Sequence, residues 1–341
     1  MSAKLPEVLV LPVSGHGTIE QLGILSALMK KKYKPKVSLG ASGGAITAAL
    51  AIAFDWDCEA IFKWLTSIDS DEILGEKFLG APISALTSIS MYEVGQGLDV
   101  VFKYIARPEF SKNFRNQELI ISAQNQTLGR LEIFSTVSSE NSILHGSKGS
   151  LNIFGTSCFI SFLGDIPDDK VFSKKLEKVV RATSAVPMVF PPVEIDGSFY
   201  IDGGVGFSSP LAPFMGLVKG RDVLYIFPED IDEPKKHRPQ TAFDSLMAYF
   251  AQVSRSNYIH DRSTYLSGLC CGDFKRLGKI HGNSSDLENL LKKTNSKKRF
   301  VELFPTNNSN SMPILSRPSK KEMITRLYEN FSIFSCRIYA S

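Results

Sequence analysis

Ser42 has the surroundings of a catalytic serine. It lies in Gly40-Ala41-Ser42-Gly43-Gly44, which matches the pattern Gly-x-Ser-x-Gly. The preceding residues Lys36–Leu39 predict a short buried strand, and Ala45–Phe54 predict an Ala-rich helix. Because a sharp strand-to-helix turn raises a serine hydroxyl above the sheet, the stretch predicts a nucleophile for acyl transfer. A Gly-rich turn that merely begins a helix is the alternative.

The elements that would hold this serine predict an α/β fold. Val8–Val13 is a continuous apolar run of the kind found in parallel sheets, and a helix is expected from about Ile19 to Lys32. Strand, helix, strand and helix therefore follow one another before residue 55. In α/β-hydrolases several strands precede the strand-to-helix turn that carries the catalytic serine, which is called the nucleophile elbow. A serine after the second strand therefore argues against that fold.

The remainder of the chain has no repeats. Residues 56–117 are expected to be helical and irregular, and they either cap a pocket or pack on the sheet. A β-hairpin is expected around Asp196-Gly197. The other predicted elements are strands at 118–123, 131–137 and 222–227, helices at 176–184, 241–253 and 259–270, exposed loops at 283–298 and 305–319, and a last helix from Ser319.

Composition and charge exclude several classes of protein. The 341 residues are 43% hydrophobic and 22% charged, as in a soluble globular protein, and the net charge of +4 is too small to indicate nucleic-acid binding. Five cysteines without metal or disulfide spacing predict reduced thiols and a cytoplasmic location. We expect no signal peptide, no transmembrane helix, no metal and no cofactor.

Four segments taken in order resemble the patatin-like phospholipase family. They are Ser14-Gly15-His16-Gly17 with the helix after it, Gly40–Gly44, Arg181–Pro187 with Phe190-Pro191-Pro192, and Asp202-Gly203-Gly204. The resemblance implies a three-layer α/β/α fold with a mostly parallel central sheet. It also implies one catalytic domain over residues 1–341, with its core at about 7–228 and a helical, loop-rich C-terminal part at about 229–341.

The family implies lipid acyl hydrolysis by a Ser–Asp dyad. By match, Ser42 is the nucleophile and Asp202 its base, and Gly203 and Gly204 let the carboxylate approach the serine. An aspartate with the reference pKa of about 3.9 is ionised at neutral pH and accepts the serine proton directly. Outside the resemblance, Asp202-Gly203 would be read as an ordinary turn.

The first glycine loop is the expected source of oxyanion donors. We expect the N–H groups of Gly15, His16 and Gly17 to face the acyl oxygen together with Gly43, and the His16 side chain could also donate. The family usually has three glycines and a basic residue in this loop, whereas Val13–Thr18 contains neither Lys nor Arg.

Two mechanisms and three activities follow from these residues. A Ser42–Asp202–His260 triad is possible by chain order, although the early elbow favours the dyad. The expected activity is phospholipase A or non-specific lipid esterase chemistry through an acyl-enzyme. Its expected partners are a phospholipid or other lipid ester and a peripheral membrane surface. A lipid-binding or scaffold protein with a weakened site, and an acyltransferase using the same dyad, are the alternatives.

Overall fold

A computed structural model describes most of the chain. It describes residues 5–14, 17–68, 98–146, 150–153, 156–187, 189–206, 210, 211, 214, 218, 221–232, 252–260, 262, 263, 275–293, 299–306 and 320–340. The chain divides into two compact units, one made of residues 1–39 and 207–341 and the other of residues 40–206. The single catalytic domain expected from the sequence stays a prediction.

Strands and helices have the following bounds. The strands are β1 Val8–Leu11, β2 Val37–Gly40, β3 Glu118–Asn125, β4 Arg130–Ser135, β5 Ser150–Ile153, β6 Thr156–Phe162, β7 Val193–Ile195, β8 Ser198–Asp202, β9 Val223–Ile226, β10 Lys275–Gly282, β11 Arg299–Pro305 and β12 Phe334–Ala340. The helices are α1 Thr18–Met29, α2 Gly43–Ala53, α3 Cys58–Ser67, α4 Asp99–Ile105, α5 Ser111–Asn116, α6 Asp169–Thr183, α7 Ser284–Lys293 and α8 Lys320–Ser332. The α/β class with helices flanking a central sheet is confirmed.

The first unit contains strands in the order β10-β12-β11-β9-β1-β2. Strand β9 pairs parallel with both β1 and β11, and β12 pairs antiparallel with β10 and β11. All four residues of β1 are buried, as a continuous apolar run in a parallel sheet requires. Helix α1 packs against α8, and Gly23 lies so close to Leu327 that a Cβ atom would come within 2.6 Å of its carbonyl oxygen. The two helices therefore need a residue without a side chain at this contact.

The second unit carries the elbow helix and the hairpin. Strand β3 pairs antiparallel with β4 and with β8, β4 pairs parallel with β6, β6 pairs antiparallel with β5, and β7 pairs antiparallel with β8. Helix α6 packs against β3 and β7, and its first turn is capped by Asp168, whose carboxylate accepts from Lys170 N and Val171 N. The predicted hairpin is confirmed, since Asp196 and Gly197 have φ of 50° and 80°.

The structure overturns one expectation from the sequence, adds strands that were not expected and confirms the last helix. The loop expected at 283–298 is wrong over Ser284–Lys293, which forms α7. The C-terminal part adds three strands, β10, β11 and β12, that the sequence analysis did not predict. The last helix is confirmed as Lys320–Ser332. Residues 69–97 and most of 241–253 and 259–270 lie outside the described residues, so their expected helices stay predictions. Within the described part of the chain, no helix has the length and apolar character to cross a bilayer.

Candidate active site

Ser42 lies on the predicted strand–turn–helix. Strand β2 ends at Gly40, α2 begins at Gly43, and Ser42 between them has φ of 53° and ψ of −132°. A positive φ is uncommon for a residue with a side chain, and such backbone strain clusters at active sites. Gly40 permits the tight turn, because a Cβ atom there would lie 2.7 Å from Ala45 Cα. The geometry is that of a nucleophile elbow.

The strain at Ser42 predicts an effect on stability. Strain of this kind costs roughly 1–3 kcal/mol, and glycine adopts the same dihedral angles without steric cost but loses about 0.5–1 kcal/mol of chain entropy. We expect Ser42→Gly to be more stable than Ser42→Ala by about 1–2 kcal/mol, because alanine keeps the strained Cβ atom. Urea unfolding of the two variants measures the difference. An alanine variant as stable as the glycine variant would mean that the turn is not strained.

The N-terminus of α2 lies at the turn that contains Ser42. Gly44 N–H donates to Ala41 O at 3.0 Å and Ala45 N–H donates to Ser42 O at 2.9 Å. The N–H of Gly43, the first residue of the helix, has no acceptor among the described residues. A free N–H at a helix N-terminus, directly after Ser42, is suited to bind an oxyanion.

Asp202 is buried at the end of β8. The residue is only 3% exposed, and its Oδ1 accepts a hydrogen bond from Gly204 N–H at 2.7 Å. Oδ2 has no hydrogen-bond partner of standard geometry within the described residues. A buried carboxylate oxygen without a partner is costly, which makes Oδ2 a candidate acceptor for a proton.

Burial raises the pKa of Asp202 to about 7, because the carboxylate is removed from water; hydrogen bonding from the Ser42 hydroxyl and from Gly204 N–H lowers it only in part. The Ser42 hydroxyl is therefore close enough to the carboxyl group of Asp202 to affect its pKa. The sequence analysis used the reference pKa of about 3.9 for this aspartate, and burial raises its pKa well above that value. A pKa near the working pH is what general acid–base catalysis requires.

The patatin-like phospholipase family model matches residues 16–215. This chain belongs to the patatin-like phospholipase family. The match spans both Ser42 and Asp202, and the first loop, the Arg181–Pro187 segment and the Asp202-Gly203-Gly204 turn also fall in or at the edge of it.

No curated protein sequence matches this patatin-like chain. Eleven chains of solved structures match it, among them the crystal structure of VipD from Legionella pneumophila. That match has 14% sequence identity and a TM-score of 0.40, covers 97% of this chain and covers 66% of the VipD chain. The chain spans about two thirds of the length of the VipD chain.

The predicted oxyanion loop is only partly described. Gly15 and His16 lie outside the described residues. Gly17 belongs to the first unit, its N–H donates to Ser14 O at 2.7 Å, and a Cβ atom there would lie 2.3 Å from Pro228 Cβ. Since the Gly17 N–H already has an acceptor, the loop's role in this patatin-like chain depends on its two preceding residues, and it stays a prediction.

The histidines are distributed over both units. The second unit has one histidine in its sequence, His145, which is exposed and whose Nδ1 lies 3.1 Å from Ser139 O. In the first unit, His281 Nδ1 lies 2.6 Å from Ser335 Oγ, and His237 lies outside the described residues. The candidate triad with His260 stays untested.

Sequence reasoning missed the role of one segment in this patatin-like site. Thr183 accepts a hydrogen bond from Ser42 N–H at 3.0 Å, and Ala185 O accepts one from Asp202 N–H at 2.9 Å. The Arg181–Pro187 segment carries the family resemblance, but its residue types contain no sign of these two backbone contacts. Only the fold brings them to Ser42 and Asp202, across 141 residues in the case of Thr183.

Proposed function

We propose that the protein is a serine hydrolase of lipid carboxylic esters, with Ser42 as nucleophile and Asp202 as base. Membership of the patatin-like phospholipase family supports lipid acyl hydrolysis in general. The observation that carries the finer proposal is the pairing of a strained elbow serine with a buried aspartate whose pKa its hydroxyl lowers. No histidine enters this mechanism.

Acylation follows from the position of the two groups. As Ser42 Oγ attacks the ester carbonyl carbon, its proton passes to Asp202 Oδ2, which has no other partner in the described part of the molecule. The carbonyl oxygen becomes negative, and the Gly43 N–H at the helix N-terminus stabilises it. When the C–O bond breaks, Asp202 gives the proton to the departing alkoxide, and an alcohol or a lysophospholipid leaves.

Deacylation repeats the same transfers with water. Asp202, again ionised, takes a proton from a water molecule as the water oxygen attacks the acyl carbon of the Ser42 ester. The second tetrahedral intermediate releases Ser42 Oγ, which recovers the proton, and a free fatty acid leaves. An alcohol in place of water would give acyl transfer, so added glycerol or lysophospholipid tests how exclusively water is used.

The raised pKa of Asp202 predicts a pH dependence. The base must be ionised in the free enzyme, and burial sets its pKa at about 7. We expect kcat/KM on a neutral ester to rise roughly tenfold per pH unit below about 7 and to level off above it. Initial rates from about pH 5 to 9 measure this. A rate independent of pH over that range would indicate a carboxylate with an ordinary pKa.

The proposed activity has a direct test. The wild-type protein is expected to turn over a short-chain p-nitrophenyl ester. A fluorophosphonate probe is expected to label it covalently at Ser42, and mass spectrometry identifies the labelled peptide. A lipid-binding protein with a weakened site would show neither. Analysis of the products from mixed phospholipid liposomes would then identify the head group and the ester position.

A further inference from the structure

One short segment contacts the backbone of both proposed catalytic residues. Thr183, the last residue of α6, is 0% exposed and accepts from Ser42 N–H at 3.0 Å. Two residues later, the carbonyl oxygen of Ala185 accepts from Asp202 N–H at 2.9 Å. The stretch Thr183–Ala185 therefore connects the main chain at the nucleophile to the main chain at the base.

The same segment is fixed to strand β3. The Thr183 hydroxyl donates to Ser122 O at 2.6 Å. Gly203, next to the base, lies against this carbonyl as well, since a Cβ atom on Gly203 would come within 2.1 Å of Ser122 O. The register of β3 with β8 places Ala123 opposite Asp202. Both proposed catalytic residues are thus located relative to one peptide group, that of Ser122.

We propose that Thr183 is a positioning residue, which holds the Ser42 hydroxyl at the distance from Asp202 that proton transfer requires. The inference rests on the proposed function. Thr183 touches neither substrate nor reacting atoms. It acts through two hydrogen bonds, one that its hydroxyl accepts from Ser42 N–H and one that it donates to the Ser122 carbonyl oxygen.

The strained turn at Ser42 explains why such a residue is needed. A residue with φ of 53° relaxes toward negative φ unless its surroundings hold it. The Ser42 N–H is buried, so the loss of its acceptor would leave a donor unpaired and favour a rotation of the peptide. Rotation of that peptide moves Oγ relative to Asp202, and a misplacement of about 1 Å can cost roughly 10²-fold in rate.

Thr136 provides a matched control. It is also 0% exposed, and its hydroxyl makes the same pair of contacts, accepting from Leu119 N–H at 2.9 Å and donating to Gln117 O at 3.1 Å. These contacts lie at the start of β3 and involve neither Ser42 nor Asp202. Thr136→Val therefore removes an equivalent pair of buried hydrogen bonds without touching the proposed dyad.

The experiment compares Thr183→Val, Thr183→Ser and Thr136→Val on a soluble p-nitrophenyl ester. Thr183→Val is expected to lower kcat by about 10- to 100-fold with little change in KM, and to slow fluorophosphonate labelling of Ser42 in parallel. Thr183→Ser retains the hydroxyl and should recover most of kcat. Thr136→Val should lower stability to a similar degree and keep its kcat. If Thr183→Val does not fold, Thr183→Ala has the same expected kinetics.

Two results would overturn the inference. Wild-type kcat and labelling rate in folded Thr183→Val would mean that the contact does not position the serine. An equal loss of kcat in Thr136→Val would mean that reduced stability alone explains the effect. Ser42→Ala separates this from failure of the proposed function: full hydrolysis in Ser42→Ala removes both proposals, whereas an inactive Ser42→Ala beside a fully active Thr183→Val removes the positioning role alone.

Discussion

Ser42→Ala is expected to abolish ester hydrolysis while the fold is kept. The variant lacks the Oγ that forms the proposed acyl-enzyme, and loss of the nucleophile in serine hydrolases costs on the order of 10⁶ in kcat. Alanine retains the Cβ atom at φ of 53°, so the elbow keeps its shape and no new space must be filled. Steady-state turnover of a p-nitrophenyl ester and of phospholipid vesicles measures the loss, and circular dichroism verifies the fold.

Ser38→Ala is the matched control for this loss. Ser38 lies in β2, four residues before Ser42, is buried, and has no hydrogen-bond partner for its hydroxyl among the described residues. Removal of that hydroxyl should leave both turnover and fluorophosphonate labelling unchanged. Labelling of a serine other than Ser42, or normal turnover by Ser42→Ala, would show that the chemistry resides elsewhere in the chain.

The elbow and the hairpin were predictable because local sequence determines them. Gly40 is required where two backbone segments meet closely, and the Asp196-Gly197 pair selects a tight turn with positive φ. Both features need only a few adjacent residues. Their positions on a strand-to-helix turn and at a strand connection are therefore visible without knowledge of the fold.

Two of the missed strands contain buried charges that conceal their apolar pattern. Glu302 in β11 is 0% exposed and Arg337 in β12 is 1% exposed, and the two form an ion pair of 3.5 Å. Arg337 also pairs with Asp230, which follows β9. A charged residue indicates a solvated position unless its partner is known. Because the partners lie far apart in sequence, only the tertiary structure shows that these charges are satisfied inside.

The pKa of Asp202 was not predictable for a related reason. A carboxyl group in the sequence has its reference value near 3.9, and the shift to about 7 arises from burial that many segments of the folded chain create together. The contact of Thr183 with Ser42 likewise depends on the end of α6 reaching the elbow. Residue types at the site were visible in the sequence, whereas their electrostatics and their supporting contacts were not.

Asp202→Asn tests whether the negative charge of Asp202 lowers the stability of the folded protein. The carboxyl group has a pKa of about 7 in the folded protein and near 3.9 in the unfolded chain, so the folded state retains a proton that the unfolded state has released between these values. Stability contributed by this group is therefore complete below about pH 4 and is lost as the pH rises through about 7. Asparagine carries no proton to lose, and its side-chain oxygen can still accept from Gly204 N–H.

The variant should therefore match wild type in stability near pH 4 and exceed it by up to about 4 kcal/mol near pH 8. Urea unfolding at the two pH values measures the difference. This result would also serve as the folding control for the kinetic test, because a variant more stable than wild type cannot be inactive through unfolding. Equal stability at both values would mean that Asp202 is solvated and has an ordinary pKa.

In catalysis, Asp202→Asn is expected to lower kcat by about 10⁴-fold, the effect of neutralising the acidic residue of a serine hydrolase. The amide keeps the shape of the carboxyl group but cannot take the Ser42 proton. A pH profile alone does not identify the base, since a histidine with its reference pKa of about 6.5 would titrate in the same range as Asp202. His260→Ala, His237→Ala and His281→Ala should each retain most of the activity. One of these variants as inactive as Ser42→Ala, yet folded by circular dichroism, would replace the proposed dyad with a triad.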